Sequence, residues 1–253
     1  MKVAEDNSRV AGFRPWEVAM KRSVVLGLVL SVCLLLISSA SSPAGMVSEN
    51  RPVQPFDRVR MSGAGNLYVS QGKEVKLVIE TEEDYLDKVR TYVRDGGLVI
   101  ERDKSWLSDS RPVNAYVSMD RIEGLSASGA VKIIGRTPIV SESLGLKGSG
   151  STGMELEIET DSLETTVSGS GQVRLRGRAT THRFKASGSA GLEAFELLTQ
   201  KTGIRISGSG RAKVYVVDEI NVQISGSGKV QMKGEARIGQ LKTSGSGELV
   251  RVD

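Results

Sequence analysis

Cysteine and histidine are nearly missing from this chain: Cys33 and His182 are the only ones in 253 residues. This scarcity excludes disulfides within the chain, Cys-type zinc sites, and any metal site built on two imidazoles. Cys33 lies in an apolar run near the N-terminus, so the body of the protein has no thiol nucleophile, and a serine triad survives only with His182 as its base. Aromatic residues make up just 4% of the chain, whereas the 29 glycines exceed ordinary usage. Many backbone positions therefore need conformations that side chains resist. At 39% hydrophobic and 25% charged, the chain can still bury the core of one large domain or two small ones.

Lys21-Arg22 precede the apolar run Val24 to Ile37, and the small residues Ser38-Ser39-Ala40-Ser41-Ser42-Pro43-Ala44 follow it. A basic start, a short apolar stretch and a small-x-Ala exit mark residues 1–40 as a secretory signal region ending at Ala40. The competing reading, a retained anchor, asks for ~20 apolar residues. Met20 is better placed than Met1 as the initiator of such a signal. Leu30-Ser31-Val32-Cys33 resembles a lipoprotein box, although Val32 is large for the residue before the cysteine. Membrane attachment thus depends on an uncleaved signal or on lipidation. Of the formal charge of +4, residues 1–40 carry +2, and the remainder shows no clustered basic footprint for nucleic acid.

Self-similarity dominates the second half. Gly148-Ser149-Gly150, Ser168-Gly169-Ser170-Gly171, Ser187-Gly188-Ser189, Ser207-Gly208-Ser209-Gly210, Ser225-Gly226-Ser227-Gly228 and Ser244-Gly245-Ser246-Gly247 recur with their middle serines 21, 19, 20, 18 and 19 residues apart. Ser128-Gly129-Ala130 reads as a degenerate first copy. Apolar residues alternate with polar ones on both sides, as in Phe184 and Ala186 before Ser189 and Leu192 after it. This pattern predicts strand, Gly-rich corner, strand. One such unit cannot bury its apolar side alone, so units of constant length must stack. The expected fold is all-β, a parallel β-helix (solenoid) with coils of about 19 residues; seven coils would form a rod of roughly 30 Å.

The preceding part differs. After a linker at 41–52, residues 53–120 read as an N-terminal β region with strands at Phe56–Met61, Asn66–Ser70, Val75–Glu80, Leu98–Arg102 and Asn114–Met119. Thr81-Glu82-Glu83-Asp84 has the form of a capping box and predicts a helix over 82–94 with Tyr85, Leu86, Val89, Tyr92 and Val93 on one face. Such a helix would cover the first rung of the stack. Residues 121–253 form the Ser-Gly repeat β-helix.

Phe56-Asp57-Arg58-Val59, Ser62-Gly63-Ala64-Gly65-Asn66-Leu67-Tyr68-Val69, Leu86-Asp87-Lys88-Val89 and Asp95-Gly96-Gly97-Leu98-Val99-Ile100 stand ahead of the Ser-Gly repeats. In this order they resemble the exported bacterial family named "putative auto-transporter adhesin, head GIN domain", over residues 53 to 253. The resemblance implies a β-helical domain of the bacterial envelope or a secreted protein. It carries no catalytic residues and no cofactor.

Candidate chemistry is sparse. Glu155, Glu157 and Glu159 alternate with apolar residues and share an outer face, where they could offer oxygen ligands or a carboxylate pair for sugar chemistry. Side chains two apart on a strand are ~7 Å apart, which favours a solvated face instead. Lys185, Arg205, Gln223 and Lys242 recur at the repeat period and predict a basic column, with Arg174, Arg176 and Arg178 nearby, that could engage an acidic glycan or another anionic envelope component. Lys185, Arg205 and Lys242 are the candidate ligand-binding residues. The rival reading is charge displayed for solubility. The Ser-Gly corners lack the Gly-Lys-Ser/Thr run of a phosphate loop and read as structural. His182 reads as a rim or face residue, and Trp106 with Leu107 as an exposed contact or packing against the cap.

These features combine into an extracytoplasmic, non-enzymatic β-helical domain for adhesion or surface binding, located in the periplasm, on the outer membrane surface or outside the cell. It needs no cofactor, metal or nucleic acid, and its state of association is open. A polysaccharide-active β-helix enzyme and a self-assembling, bactofilin-like structural protein are the alternatives.

Overall fold

The computed structural model describes residues 45–102 and 111–253. The signal region, Cys33, and the Trp106-Leu107 pair lie outside those residues. Strands follow in chain order as β1 Met46–Arg51, β2 Arg58–Gln71, β3 Lys76–Glu82, β4 Val89–Arg94, β5 Gly97–Arg102, β6 Val113–Met119, β7 Gly124–Gly135 and β8 Ile139–Gly150. They continue as β9 Gly153–Gly169, β10 Gln172–Gly188, β11 Gly191–Gly208, β12 Arg211–Gly226, β13 Lys229–Lys233, β14 Arg237–Ser244 and β15 Glu248–Arg251. No helix among the described residues is long and apolar enough to cross a membrane.

Alternation within a strand decides how the strands assemble. In β10, Val173, Leu175, Phe184 and Ala186 are buried while Gln172, Arg174, Arg176 and Ser187 are exposed. A lone strand of this kind leaves its apolar row in water. Parallel pairing with the coils above and below removes that row from solvent. Val167, Ala186, Ile206 and Ile224 are consecutive register partners, and so are Thr165, Phe184, Ile204 and Val222. Each file climbs the interior by ~4.8 Å per coil. Burial of one Val, Leu, Ile or Phe stabilises by about 1.5–3 kcal/mol, which is realised only while every coil keeps the same length. The result is a parallel β-solenoid of about 7 turns with coils of ~19 residues.

The corner explains much of the glycine. Gly150, Gly169, Gly188, Gly208, Gly226 and Gly245 all hold φ between +91 and +116°. At Gly188 an added Cβ would lie 2.7 Å from the Gly169 carbonyl oxygen. That oxygen accepts the Ser189 N–H at 2.9 Å, so the corner has room for a hydrogen bond and none for a side chain.

In one coil the register differs from the sequence reading. Ser149 pairs with Ser168 and Gly150 with Gly169, so the residue equivalent to Ser170 is Ser151, not Ser149. Leu146 and Gly148 therefore continue the two inner files from Leu125 and Ala127. A slip of two preserves the inward and outward sense of every side chain, which is why alternation alone does not expose it.

The Ser-Gly stack also begins earlier than residue 121. β2 pairs in parallel with β7 over Arg58–Val69, placing Gly63 at φ +124° opposite Gly129. Ser62-Gly63-Ala64 is thus a corner, and the two strands expected on either side of it are one continuous β2. Along the other edge of β2 run β5 and β6, also parallel. Beyond them the pairing turns antiparallel, with β4 on β5, β3 on β6 and β1 on β3.

Strands, more than a helix, cover this end. The helix expected over 82–94 is a short 3-10 helix, Glu83–Lys88, and the remainder is β4. Val89 to Arg94 pairs residue by residue with β5, and its β-branched and aromatic content suits that pairing better than further helix. The capping box does not form: Thr81 is buried and its hydroxyl donates to the Pro112 carbonyl at 3.1 Å. Residues 41–52, expected as a linker, contain β1. Its Arg51 donates to the Leu86 carbonyl at 2.9 Å and also to the Val89 carbonyl, holding the 3-10 helix.

Candidate binding face

Outward side chains stack as regularly as inward ones. Lys185, Arg205, Gln223 and Lys242 are consecutive partners on β10, β11, β12 and β14. The column continues in the other direction through Thr166, Lys147, Ser126 and Arg60. Two residues earlier on each coil runs a parallel column: Arg58, Gly124, Gly145, Glu164, Arg183, Gly203, Asn221 and Gln240. Together the two columns carry seven cations and one carboxylate, Glu164.

Glu164 sits 2.7 Å from the Lys185 ammonium. Its carboxyl is held below the usual range, first by the hydrogen bond from Lys185 and further by the charges of Arg183 and Lys147. Arg205 donates through Nε to the side-chain amide oxygen Oε1 of Gln223 at 3.0 Å, which fixes the guanidinium without neutralising it. Sequence reasoning missed Arg183, although the same period applied two positions earlier would have found it. It also missed Arg58 and Arg60, because the stack was taken to begin at residue 121.

Beyond the Ser-Gly corner one column alternates in sign from coil to coil, through Glu155, Arg174, Glu193 and Lys213. Glu155 lies 2.9 Å from both Lys132 and Arg174, and Glu157 accepts two bonds from Arg176 at 3.0 and 2.9 Å. Lys213 pairs with Glu193 at 3.1 Å in the same manner. The Glu155 carboxyl is held low by Lys132 first and Arg174 second. Arg174 and Arg176 therefore belong to this compensated face, and Arg178, which follows Gly177 at φ +110° and stands in register with Glu159, also lies outside the basic columns. A groove of about 660 Å³ crosses it, lined by Glu155, Glu157, Arg174, Arg176, Glu193 and Phe195. Its carboxylates at 155 and 157 are occupied by arginine, and no cluster of three metal-ligating side chains occurs among the described residues.

His182 lies inside the solenoid, not on its rim. It continues the inner file Leu144, Leu163, His182, Thr202, Ile220 and is 2% exposed. Nε2 is 3.1 Å from the Thr165 hydroxyl, and Nδ1 has no partner. Burial pushes its pKa down to about 4, so the ring is neutral at physiological pH. It faces neither solvent nor a carboxylate.

The fold and this charged exterior define a class, the parallel β-solenoids that display stacked polar columns. Residues 55–236 match the family described as "Putative auto-transporter adhesin, head GIN domain", and the chain belongs to that family. Three solved structures share the fold. An adhesin so described from Bacteroides fragilis has a TM-score of 0.77 at 18% identity, with 83% of this chain and 98% of that one covered. One from Parabacteroides merdae gives 0.67 at 19%, covering 84% and 98%. A structure from Parabacteroides distasonis described as a lipid binding protein gives 0.67 at 20%, covering 83% and 98%. No curated protein matches the chain.

Proposed function

We propose that this protein is an exported, non-enzymatic surface-binding module that captures an acidic glycan of the bacterial envelope along the column Lys185, Arg205 and Lys242. One observation carries this reading: the two columns of one face set seven cations against a single carboxylate, Glu164, which pairs with Lys185, whereas Glu155, Glu157 and Glu193 on the neighbouring face are each paired to a cation of an adjacent coil. Charge shown only for solubility would not need to segregate in this way. The column spans three inter-coil steps, roughly 14 Å, which suits a repeating anionic chain lying along the solenoid axis. Family membership supports export and an adhesive role. The arginine pairing of Glu155 and Glu157 supports a binding role over glycosidic catalysis.

Binding of the full-length chain to polygalacturonate, with neutral dextran as reference, tests the proposal. The triple variant K185Q/R205Q/K242Q is expected to lose at least about tenfold in affinity, and the wild-type affinity to fall as salt rises. Unchanged binding by the triple variant, or equal affinity for dextran, contradicts it.

A further inference from the structure

Gly203 has no structural reason to be glycine. Its backbone is not in the left-handed region, and an added Cβ would meet nothing within 4 Å. It lies within β11, where glycine weakens pairing and packs nothing. The corner glycines differ, since backbone blocks a side chain there. What Gly203 creates is a gap in the second column, between Arg183 on one side and Asn221 on the other.

The gap opens into a depression of about 270 Å³ whose polar lining includes Arg183, Lys185, Arg205, Asn221, Gln223 and Gln240. Three cations and three amides surround it, over the buried residues Phe184, Ile204 and Val222. The volume is near the lower end for small-molecule sites, ~300 Å³, and so fits one sugar residue with its charged substituent. The two columns themselves carry Ser, Thr, Arg, Lys, Asn, Gln, Gly and Glu164, and the exposed aliphatic side chains of these coils, Val217, Ile238 and Leu241, lie outside them. Amides suit sugar hydroxyls, and a guanidinium fork suits a carboxylate or sulfate.

We infer that the notch at Gly203 is the specificity site of the basic face, seating the carboxylate or sulfate of one residue of an acidic glycan between Arg183 and Arg205. This rests on the reading of that face as the glycan-binding surface. Arg183 and Arg205 engage the anion, Lys185 remains shared with Glu164, and the amides of Asn221, Gln223 and Gln240 meet neighbouring hydroxyls.

Gly203→Thr tests the notch. A threonine there fills the gap and improves strand propensity, so the thermal midpoint is expected to hold or rise while affinity falls at least about tenfold. Gly145→Thr provides the control: it occupies the same column two coils before Arg183, and its nearest neighbour to an added Cβ is at 3.7 Å. That variant should bind normally. Polygalacturonate and dextran sulfate, compared on the full-length chain, distinguish carboxylate from sulfate. Loss in Gly203→Thr with either polymer supports the notch. Normal binding by Gly203→Thr alongside loss in K185Q/R205Q/K242Q overturns the notch and leaves the basic column standing. No loss in either variant overturns both. A fall in midpoint that accompanies lost binding would reveal a structural role and overturn the notch. So would preferential capture of phosphatidylglycerol vesicles over both polymers.

Discussion

At the scale of single residues, His182 and Gly188 show how strictly the interior is defined. His182 occupies an inner file between Leu163 and Thr202, and its folded pKa of about 4 lies below the ordinary value of 6.5. The unfolded chain therefore takes up a proton that the folded chain refuses. Its contribution is fully present above pH 6.5 and is lost progressively as pH falls toward 4, amounting to about 2 kcal/mol by pH 5. Urea titrations at pH 7.5 and 5 should show this loss in the wild type. They should show a smaller one in His182→Leu, which continues the leucines of its file; an equal loss in both would place the acid sensitivity elsewhere. Gly188→Ala should cost more than about 2 kcal/mol, since it combines a left-handed backbone with a Cβ 2.7 Å from a carbonyl. An alanine variant of wild-type stability would show that the corner relaxes.

At the scale of elements, the even spacing of Ser-Gly corners exposes the coils, whereas spacing says less about where the stack starts. Constant length is a property of stacking, so the repeat from Ser168 onward reads directly as register. β2 escaped notice because 66 residues separate Gly63 from Gly129, although the two are partners. Val89 to Arg94 was ambiguous in a different sense: its apolar residues fit one face of a helix as well as one side of a strand. The edge of β5 decides between them by offering hydrogen bonds along the whole segment. Register at Ser149 failed by two because only pairing, and not alternation, counts coils. For the binding face, the Lys185, Arg205, Lys242 column was legible because it repeats. Arg183 was within reach of the same period and was passed over, whereas Gly203 was not legible, because a gap has meaning only when its neighbours are known.

At the scale of the whole molecule, the solenoid turns a short sequence period into a long surface period. Every outward position becomes a column, and the two sides of the corner are free to differ in charge without disturbing the interior. One side spends its carboxylates on the arginines of adjacent coils, as Glu155 with Arg174 and Glu157 with Arg176 show. Such exposed pairs contribute ~0–1 kcal/mol each, so their main effect is to cancel charge. The other side sets seven cations against Glu164 alone and keeps an excess of positive charge, and that asymmetry is the feature that points to an anionic partner.

The most direct measurement is a residue-level footprint of a uronic acid oligosaccharide by backbone amide chemical shifts on the isotope-labelled protein. The expected footprint centres on Lys185, Gly203, Arg205 and Gln223, and fades with added salt. Shifts centred on Glu155, Arg174 and Arg176, or shifts absent at saturating oligosaccharide, would contradict an anion-binding role for the uncompensated face.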